Sequence, residues 1–168
     1  AAIVNNEAYG MSAYGLWAAY INGGNLSPNQ PKTMFFNLRI WNVLQAGVEM
    51  YHTSNVTFRY LKIYGDQAAQ NRNDYGTRGM NLPTYENQNL TLYNARIEGV
   101  RIGMVAPRSD ASTAGVDAPT VIQNSTFRNY INLLVNPAWD NEPGNGTVVE
   151  VRDSNFTMVT KLPPGPSP

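Results

Sequence analysis

The chain has 168 residues, of which 42% are hydrophobic and 14% charged, and its twelve basic and twelve acidic residues cancel. This balance excludes an overall electrostatic match to nucleic acid, and the lack of cysteine excludes a disulfide scaffold and a thiolate metal site. No run of 18 apolar residues occurs, so we expect no membrane span.

One short pattern occurs six times between residues 1 and 159. Each copy alternates polar and apolar residues, changes direction at a corner and alternates again, which is typical of short strands joined by a turn. The corner residues are, in chain order, Asn5, Asn37, Tyr60, Asn94, Asn124 and Asp153. Three positions later stand the apolar residues Ala8, Ile40, Ile63, Ile97, Phe127 and Phe156. The corners lie 23 to 34 residues apart by subtraction, so the copies are repeats with side loops of unequal length and not six domains.

A further strand is predicted after the turn of most copies, at 15–18, 47–50, 79–82, 101–104 and 132–135. Polar stretches at 66–77, 106–119 and 136–146 predict long side loops. Together the repeats predict an all-β, single-stranded parallel β-helix, a solenoid of about six rungs with strands about 4.8 Å apart. We expect residues 1–159 to form this solenoid as a fragment of a longer one. The proline-rich residues 160–168 are expected to form a linker or disordered tail.

The copies resemble the right-handed parallel β-helix repeats of the pectate-lyase-like superfamily, in which a phrase such as N-N-x-A or N-x-x-I at a corner precedes a glycine and a second strand. The resemblance covers residues 1 to about 159. The combination of I-V-N-N-E-A-Y-G with Y-G-L-W is also similar to the β-helix of large extracellular proteins that carry a G8 module. These resemblances imply an extracellular or cell-surface location and work on polysaccharides, although a fold alone does not specify the chemistry.

The corner column is interpreted as structural. Its polar members are Asn5, Asn37, Asn94, Asn124 and Asp153. Stacked amides at one corner can hydrogen-bond along the rod, as asparagine ladders do in cross-β stacks, and contact with a ligand is the alternative. Tyr60 is the single break in this ladder. Six N-x-S/T triplets also occur, and we attribute them to an Asn- and Thr-rich composition and not to glycosylation.

Two outward-facing columns predict a binding surface. The first reads Glu7, Arg39, Lys62, Arg96, Thr126 and Asn155, and the second reads Tyr9, Trp41, Tyr64, Glu98, Arg128 and Thr157. Neighbouring cations at this spacing repel by about 1 kcal/mol in water, so three in a row favour a bound anion. An acidic polysaccharide would place carboxylates or sulfates on Arg39, Lys62 and Arg96 and sugar rings on Trp41 and Tyr64. The alternative is a solvated face on which Glu98 pairs with Arg128 or Lys62.

No catalytic constellation is complete in the sequence. His52 is the only histidine, which excludes a multi-histidine metal site and leaves one candidate for a Ser-His-Asp arrangement. Lyase chemistry needs a cation and a base, and glycoside hydrolysis needs two carboxylates about 5 to 9.5 Å apart. Loop residues that could supply these groups, or a Ca²⁺ site, are Asp66, Asp74, Asp110, Asp117, Asp140, Glu142, Arg72, Arg78 and Arg108. None matches a superfamily motif, so catalytic residues stay unassigned, lyase or hydrolase activity stays open and no cofactor is predicted.

Two functions are expected from different classes. The first is an extracellular carbohydrate-active or carbohydrate-binding β-helix that acts on an acidic polysaccharide, which exposed aromatics such as Trp17, Trp41 and Trp139 favour. The alternative is a noncatalytic structural solenoid, such as an adhesin, sheath or surface-filament segment, whose terminal rungs self-associate.

Overall fold

The computed structural model describes residues 1–21, 32–65, 77–82, 88–106, 120–135 and 149–159. Its elements are seventeen short β-strands in three parallel sheets. Sheet 1 contains β1 (Ala2–Val4), β4 (Thr33–Phe36), β7 (Ser54–Arg59), β10 (Gln88–Tyr93), β13 (Thr120–Gln123) and β16 (Val149–Arg152). Sheet 2 contains β2 (Glu7–Tyr9), β5 (Arg39–Trp41), β8 (Lys62–Tyr64), β11 (Arg96–Glu98), β14 (Thr126–Asn129) and β17 (Asn155–Met158). Sheet 3 contains β3 (Tyr14–Ala19), β6 (Ala46–Tyr51), β9 (Arg78–Asn81), β12 (Ile102–Ala106) and β15 (Ile131–Val135).

Consecutive strands along the chain belong to sheet 1, then sheet 2, then sheet 3, and this order repeats. Within each sheet a strand pairs in parallel with the equivalent strand of the next repeat. The prediction of an all-β parallel solenoid is therefore confirmed. The three predicted side loops lie outside the described residues, except for Thr77 and Ala106 at their edges, and so does the 160–168 tail.

The predicted count of about six rungs is wrong as stated. Sheets 1 and 2 each contain six strands, but sheet 3 contains five within the described part of the chain, so six equivalent rungs are not formed there. The count is wrong because it rests on the corner residues alone. Each corner residue marks the passage from sheet 1 to sheet 2, and it carries no information about whether the chain goes on to add a strand to sheet 3.

Three stacks of apolar side chains, one from each sheet, fill the interior. The stack of sheet 2 is the predicted column of Ala8, Ile40, Ile63, Ile97, Phe127 and Phe156, paired in that order. Sheet 1 contributes Ile3, Phe35, Phe58, Leu92, Ile122 and Val151, and sheet 3 contributes Leu16, Val48, Met80, Met104 and Leu133. Like side chains stack directly where the register allows, as the Phe35 and Phe58 rings do at 4.8 Å. Burial of these columns is the main stabilising term of the fold.

The six corner residues share a left-handed backbone conformation. Their φ angles lie between 46° and 60°, a region that asparagine and aspartate tolerate better than other L-residues. Each of the first five donates its backbone N–H to a carbonyl at the end of the next sheet-1 strand, as Asn94 does to Gln123 at 3.1 Å. A side-chain ladder bond joins Asn37 Nδ2 to Asn5 Oδ1 at 2.9 Å. Backbone conformation is thus the property that all six positions share.

A second pair of asparagines occupies left-handed positions within sheet 1. Asn55 and Asn89 have φ angles of 55° and 51°, and Asn89 Nδ2 donates to Asn55 Oδ1. Asn55 is buried. Both residues begin N-x-T triplets, so at this place in the fold the triplets serve an internal contact between repeats.

Candidate functional site

The outer side of sheet 2 carries the predicted binding surface. Ile40, Ile63 and Ile97 point into the core and are fully buried, so alternation turns their neighbours on each strand outward. The register pairs Glu7 with Arg39, Arg39 with Lys62 and Lys62 with Arg96, and it pairs Tyr9 with Trp41, Trp41 with Tyr64 and Tyr64 with Glu98. The structure therefore brings Arg39, Trp41, Lys62, Tyr64 and Arg96 together on three adjacent strands. We call this set the cationic face.

Arg39 forms an exposed ion pair at one side of the cationic face. Its Nη1 lies 3.3 Å from Glu7 Oε1, and the two side chains are 45% and 54% exposed. An ion pair this open to water contributes at most about 1 kcal/mol, because solvent screens both charges. Arg39 can consequently exchange Glu7 for an anion of a ligand at small cost.

Arg96 is paired within its own strand. Its Nε lies 2.9 Å from Glu98 Oε1, and the carboxylate side chain is only 11% exposed. The expected pairing of Glu98 with Arg128 or Lys62 is wrong, because Glu98 pairs with Arg96 instead. Residues 96 and 98 are two apart on one strand, so their side chains lie on the same side of the sheet and can reach each other. The hydrogen bond and charge of Glu98 raise the pKa of Arg96 above its ordinary value. Arg96 thus stays charged and its guanidinium is held in a fixed orientation.

Aromatic rings border the cations. The Tyr9 and Trp41 rings meet edge to face with centroids 5.9 Å apart, and the Arg96 guanidinium carbon lies 5.9 Å from the centre of the Tyr64 ring. The indole Nε1 of Trp41 is buried without a hydrogen-bond partner. Unsatisfied buried donors are rare in native proteins and often coincide with functional positions.

Positive charge is concentrated on sheet 2 although the whole chain is neutral. Its outward columns carry the cations Arg39, Lys62, Arg96 and Arg128 and the carboxylates Glu7 and Glu98. Four cations and two carboxylates leave a net charge of about +2 on one side of the rod. A local field of this kind attracts anions even when the total charge cancels.

Sequence reasoning missed a cluster of aromatic rings around one cation, Arg59, on sheet 1. The guanidinium of Arg59 lies 5.1 Å from the centre of the Tyr93 ring and 5.5 Å from that of Tyr60, and Phe36 meets Tyr60 edge to face at 5.3 Å. Tyr60 has a φ of 60° where the other corners have Asn or Asp. The break in the asparagine column was the only sequence signal for this cluster.

The candidate catalytic groups are not assembled in the described residues. His52 lies at the end of β6, next to Tyr20 and Tyr51, and Arg78 begins β9. All the other loop candidates, from Asp66 to Glu142, lie outside the described residues, as does Trp139.

Within the six described segments, no three His, Cys, Asp or Glu side chains converge in a way that could hold a metal ion. The same segments contain no helix that is long and apolar enough to cross a membrane.

Comparison of the chain with protein-family models, with curated proteins and with solved structures gave no significant match. The fold is therefore assigned from the strand topology alone.

Proposed function

We propose that this solenoid is a right-handed, pectate-lyase-like β-helix of the extracellular space or cell surface, and that its cationic face binds an acidic polysaccharide. The observation that carries the proposal is the register of Arg39, Lys62 and Arg96 on three adjacent strands. A polyanion that lies along the rod axis meets one cation on each strand, at intervals of about 4.8 Å.

The flanking rings suit the sugar part of such a ligand. Trp41 and Tyr64 stand in the next outward column, beside the three cations. Aromatic side chains supply apolar area for the faces of sugar rings, and guanidinium groups bind carboxylates or sulfates through paired hydrogen bonds. Glu98 orients the guanidinium group of Arg96, while the exposed pair with Glu7 leaves Arg39 able to bind a ligand anion.

Binding of polygalacturonate, alginate and hyaluronan oligomers by isothermal titration calorimetry tests this proposal. A variant with Arg39, Lys62 and Arg96 all changed to alanine should bind about 100-fold more weakly, since each cation contributes about 1 kcal/mol. Binding to the parent should also weaken as salt rises from 50 to 300 mM, because salt screens exposed charges.

The matched control is Arg59→Ala with Arg152→Ala, which removes cations from sheet 1 and should leave binding within twofold of the parent. Circular dichroism checks that both variants keep the β-fold. Equal affinity of the triple variant and the parent for every polyanion would refute the proposal.

Catalysis on such a ligand is a separate proposal. A lyase or hydrolase activity would need groups from the side loops, since the described part of the cationic face holds cations and rings but no pair of exposed carboxylates. Incubation with the same polysaccharides, followed by assays for unsaturated and reducing-end products, tests it. Binding without either product would assign the chain to binding alone.

A second candidate function is self-association through the ends of the rod. The inner columns are exposed there: Ile3 is 42% and Val151 44% exposed, whereas Phe58 in the same column is fully buried. Unpaired edge strands with exposed apolar side chains favour pairing with another chain. Sedimentation velocity over a range of concentrations, with Ile3→Lys as the variant, should show association that the lysine removes. A monomer at all concentrations would exclude this function for the chain.

A further inference from the structure

Three rings form a compact cluster where the first two strands of sheet 3 end. The Tyr20 ring and the His52 imidazole are stacked, with centroids 5.1 Å apart and planes within 5°. Tyr51 meets His52 edge to face at 3.9 Å and Tyr20 at 5.9 Å. Tyr20 is 66% exposed, so the cluster presents ring surface to solvent.

Two of these rings stand at left-handed backbone positions, and the backbone is strained at Tyr20. Tyr20 and His52 have φ angles of 56° and 49°. Apart from Tyr60, the other non-glycine residues with positive φ are asparagine or aspartate among the described residues. Histidine tolerates this conformation better than most residues, but a bulky tyrosine is disfavoured in it, and positions that keep such strain cluster at functional sites. Asparagine would adopt this left-handed conformation more readily than tyrosine, so the requirements of the fold alone do not explain an aromatic ring at Tyr20.

The cluster continues onto the outer side of sheet 3. The register pairs Trp17 with Glu49 and Ala19 with Tyr51 on β3 and β6. Trp17 is 66% exposed, which is unusual for a ring of this size. Ala19 lies between Trp17 and Tyr20 in the sequence and opposite Tyr51 in the register. Grouped exposed rings on a soluble domain mark an interaction site.

Glu49 gives this surface a polar partner. Asn81 Nδ2 donates to both carboxylate oxygens of Glu49, at 2.9 and 2.8 Å, and Asn81 itself is buried. The amide fixes the carboxylate but leaves each oxygen able to accept another hydrogen bond. Burial raises the pKa of Glu49, while Asn81 and nearby Arg78 oppose that rise.

The charge of this surface differs from that of the cationic face. The carboxylate of Glu49 and the guanidinium of Arg78 nearly cancel, so neither a polyanion nor a polycation is favoured. The surface therefore presents exposed aromatic rings beside a carboxylate whose oxygens are held in place by Asn81. A pyranose sugar has the complementary chemistry, with an apolar face of C–H groups and a rim of hydroxyl donors.

We propose that the outer side of β3 and β6, formed by Trp17, Tyr20, Glu49 and Tyr51, is a second binding site, specific for a neutral pyranose oligosaccharide. The exposed rings cover the apolar faces of the sugars, and the Glu49 carboxylate accepts hydrogen bonds from their hydroxyl groups. Asn81 is a positioning residue, because it acts through Glu49. This site is independent of the cationic face and of its ligand.

Titration of the whole chain with cellopentaose, maltopentaose and mannopentaose, followed by tryptophan fluorescence and calorimetry, tests the site. At least one of these neutral sugars should bind with a dissociation constant in the millimolar range or tighter. Trp17→Ala and Tyr20→Asn should each weaken that binding about tenfold, and Tyr9→Ala on sheet 2 should leave it unchanged.

Tyr20→Asn separates a binding role from a structural one. Asparagine is favoured at positive φ, and this gain offsets the loss of the Tyr20 ring contacts with His52 and Tyr51, so the variant should unfold at about the same temperature as the parent while it binds less sugar. Unchanged sugar affinity in both Trp17→Ala and Tyr20→Asn would overturn the proposal. So would a lack of binding to all three neutral sugars, or binding of a chitosan oligomer in their place, which would assign the rings to a cationic ligand.

The proposals for the two sites can be refuted independently of each other. Alanine at Arg39, Lys62 and Arg96 should weaken polyanion binding about 100-fold and leave neutral-sugar binding unchanged. Tyr20→Asn should weaken neutral-sugar binding about tenfold and leave polyanion binding unchanged.

Discussion

Replacement of Gly47 by alanine tests how closely sheets 2 and 3 approach each other. Gly47 lies in β6, where a Cβ atom would stand 2.8 Å from the Gly79 carbonyl oxygen and 2.8 Å from Cγ2 of Ile63. Real Cβ atoms do not approach other heavy atoms so closely. One of the neighbours is backbone of the adjacent strand, and the other is a fully buried side chain of the core. Neither can move without disturbing the stack.

The expected destabilisation lies at the upper end of the range for overpacking, about 3 kcal/mol. For a domain of this size, 1 kcal/mol corresponds to about 2–4 °C in melting temperature, so Gly47→Ala should lower Tm by about 6–12 °C. The gain from restricting the unfolded chain, about 0.4–1 kcal/mol, is too small to offset the steric cost.

Thermal and urea unfolding followed by circular dichroism measures this effect. Gly10→Ala is the matched control, because nothing lies within 4 Å of its Cβ position and its cost comes from a φ of +66° alone. In a double-mutant cycle, Ile63→Ala should relieve part of the Gly47→Ala penalty, since it removes Cγ2 and Cδ1. A Tm of Gly47→Ala within 2 °C of the parent would refute the packing argument.

Two further predictions concern the corner and the buried carboxylate. Asn94→Ala should lower the free energy of unfolding in urea by about 1–2 kcal/mol, because alanine disfavours a φ of 54°. Asn94→Gly should lower it less, since glycine adopts positive φ readily. Equal losses of stability in the two variants would show that the backbone conformation is not the cause. Burial raises the folded pKa of Glu49 above its ordinary value of 4.5, so its contribution to stability is complete below that value and is lost as pH rises through the folded pKa. Glu49→Gln should therefore gain stability relative to the parent between pH 4 and 7, and a pH-independent difference would contradict this.

The two proposed binding surfaces differ in their chemistry. The cationic face combines Arg39, Lys62 and Arg96 with two rings, while the sheet-3 surface combines rings with a fixed carboxylate. The proposals therefore assign a polyanion to the first surface and a neutral oligosaccharide to the second. Variants of each face, titrated with oligosaccharides of each class, measure the contribution of each surface separately.

Local sequence determined much of the fold. The alternation around Ile40, Ile63 and Ile97 specified which side of each strand is buried, since one side must leave water. The repeated Asn residues specified where the chain turns, because asparagine accepts the left-handed conformation. From these two signals the parallel stacking, the core column and the members of the cationic face could be predicted. The hand of the helix and its superfamily stay predictions.

Tertiary structure decided the features that depend on distances between side chains of neighbouring strands. The number of strands in sheet 3, the pairing of Arg96 with Glu98 and the stack of Tyr20 on His52 are of this kind. Tyr20 and His52 are 32 residues apart by subtraction, the same offset that separates the predicted strands 15–18 and 47–50, so the repeat places them at equivalent positions. The repeat does not specify that their rings stack, because that depends on the direction of each side chain. Composition and periodicity specify which residues face solvent. Only the folded chain specifies which of these residues touch, because contact requires both the register between repeats and the direction of each side chain.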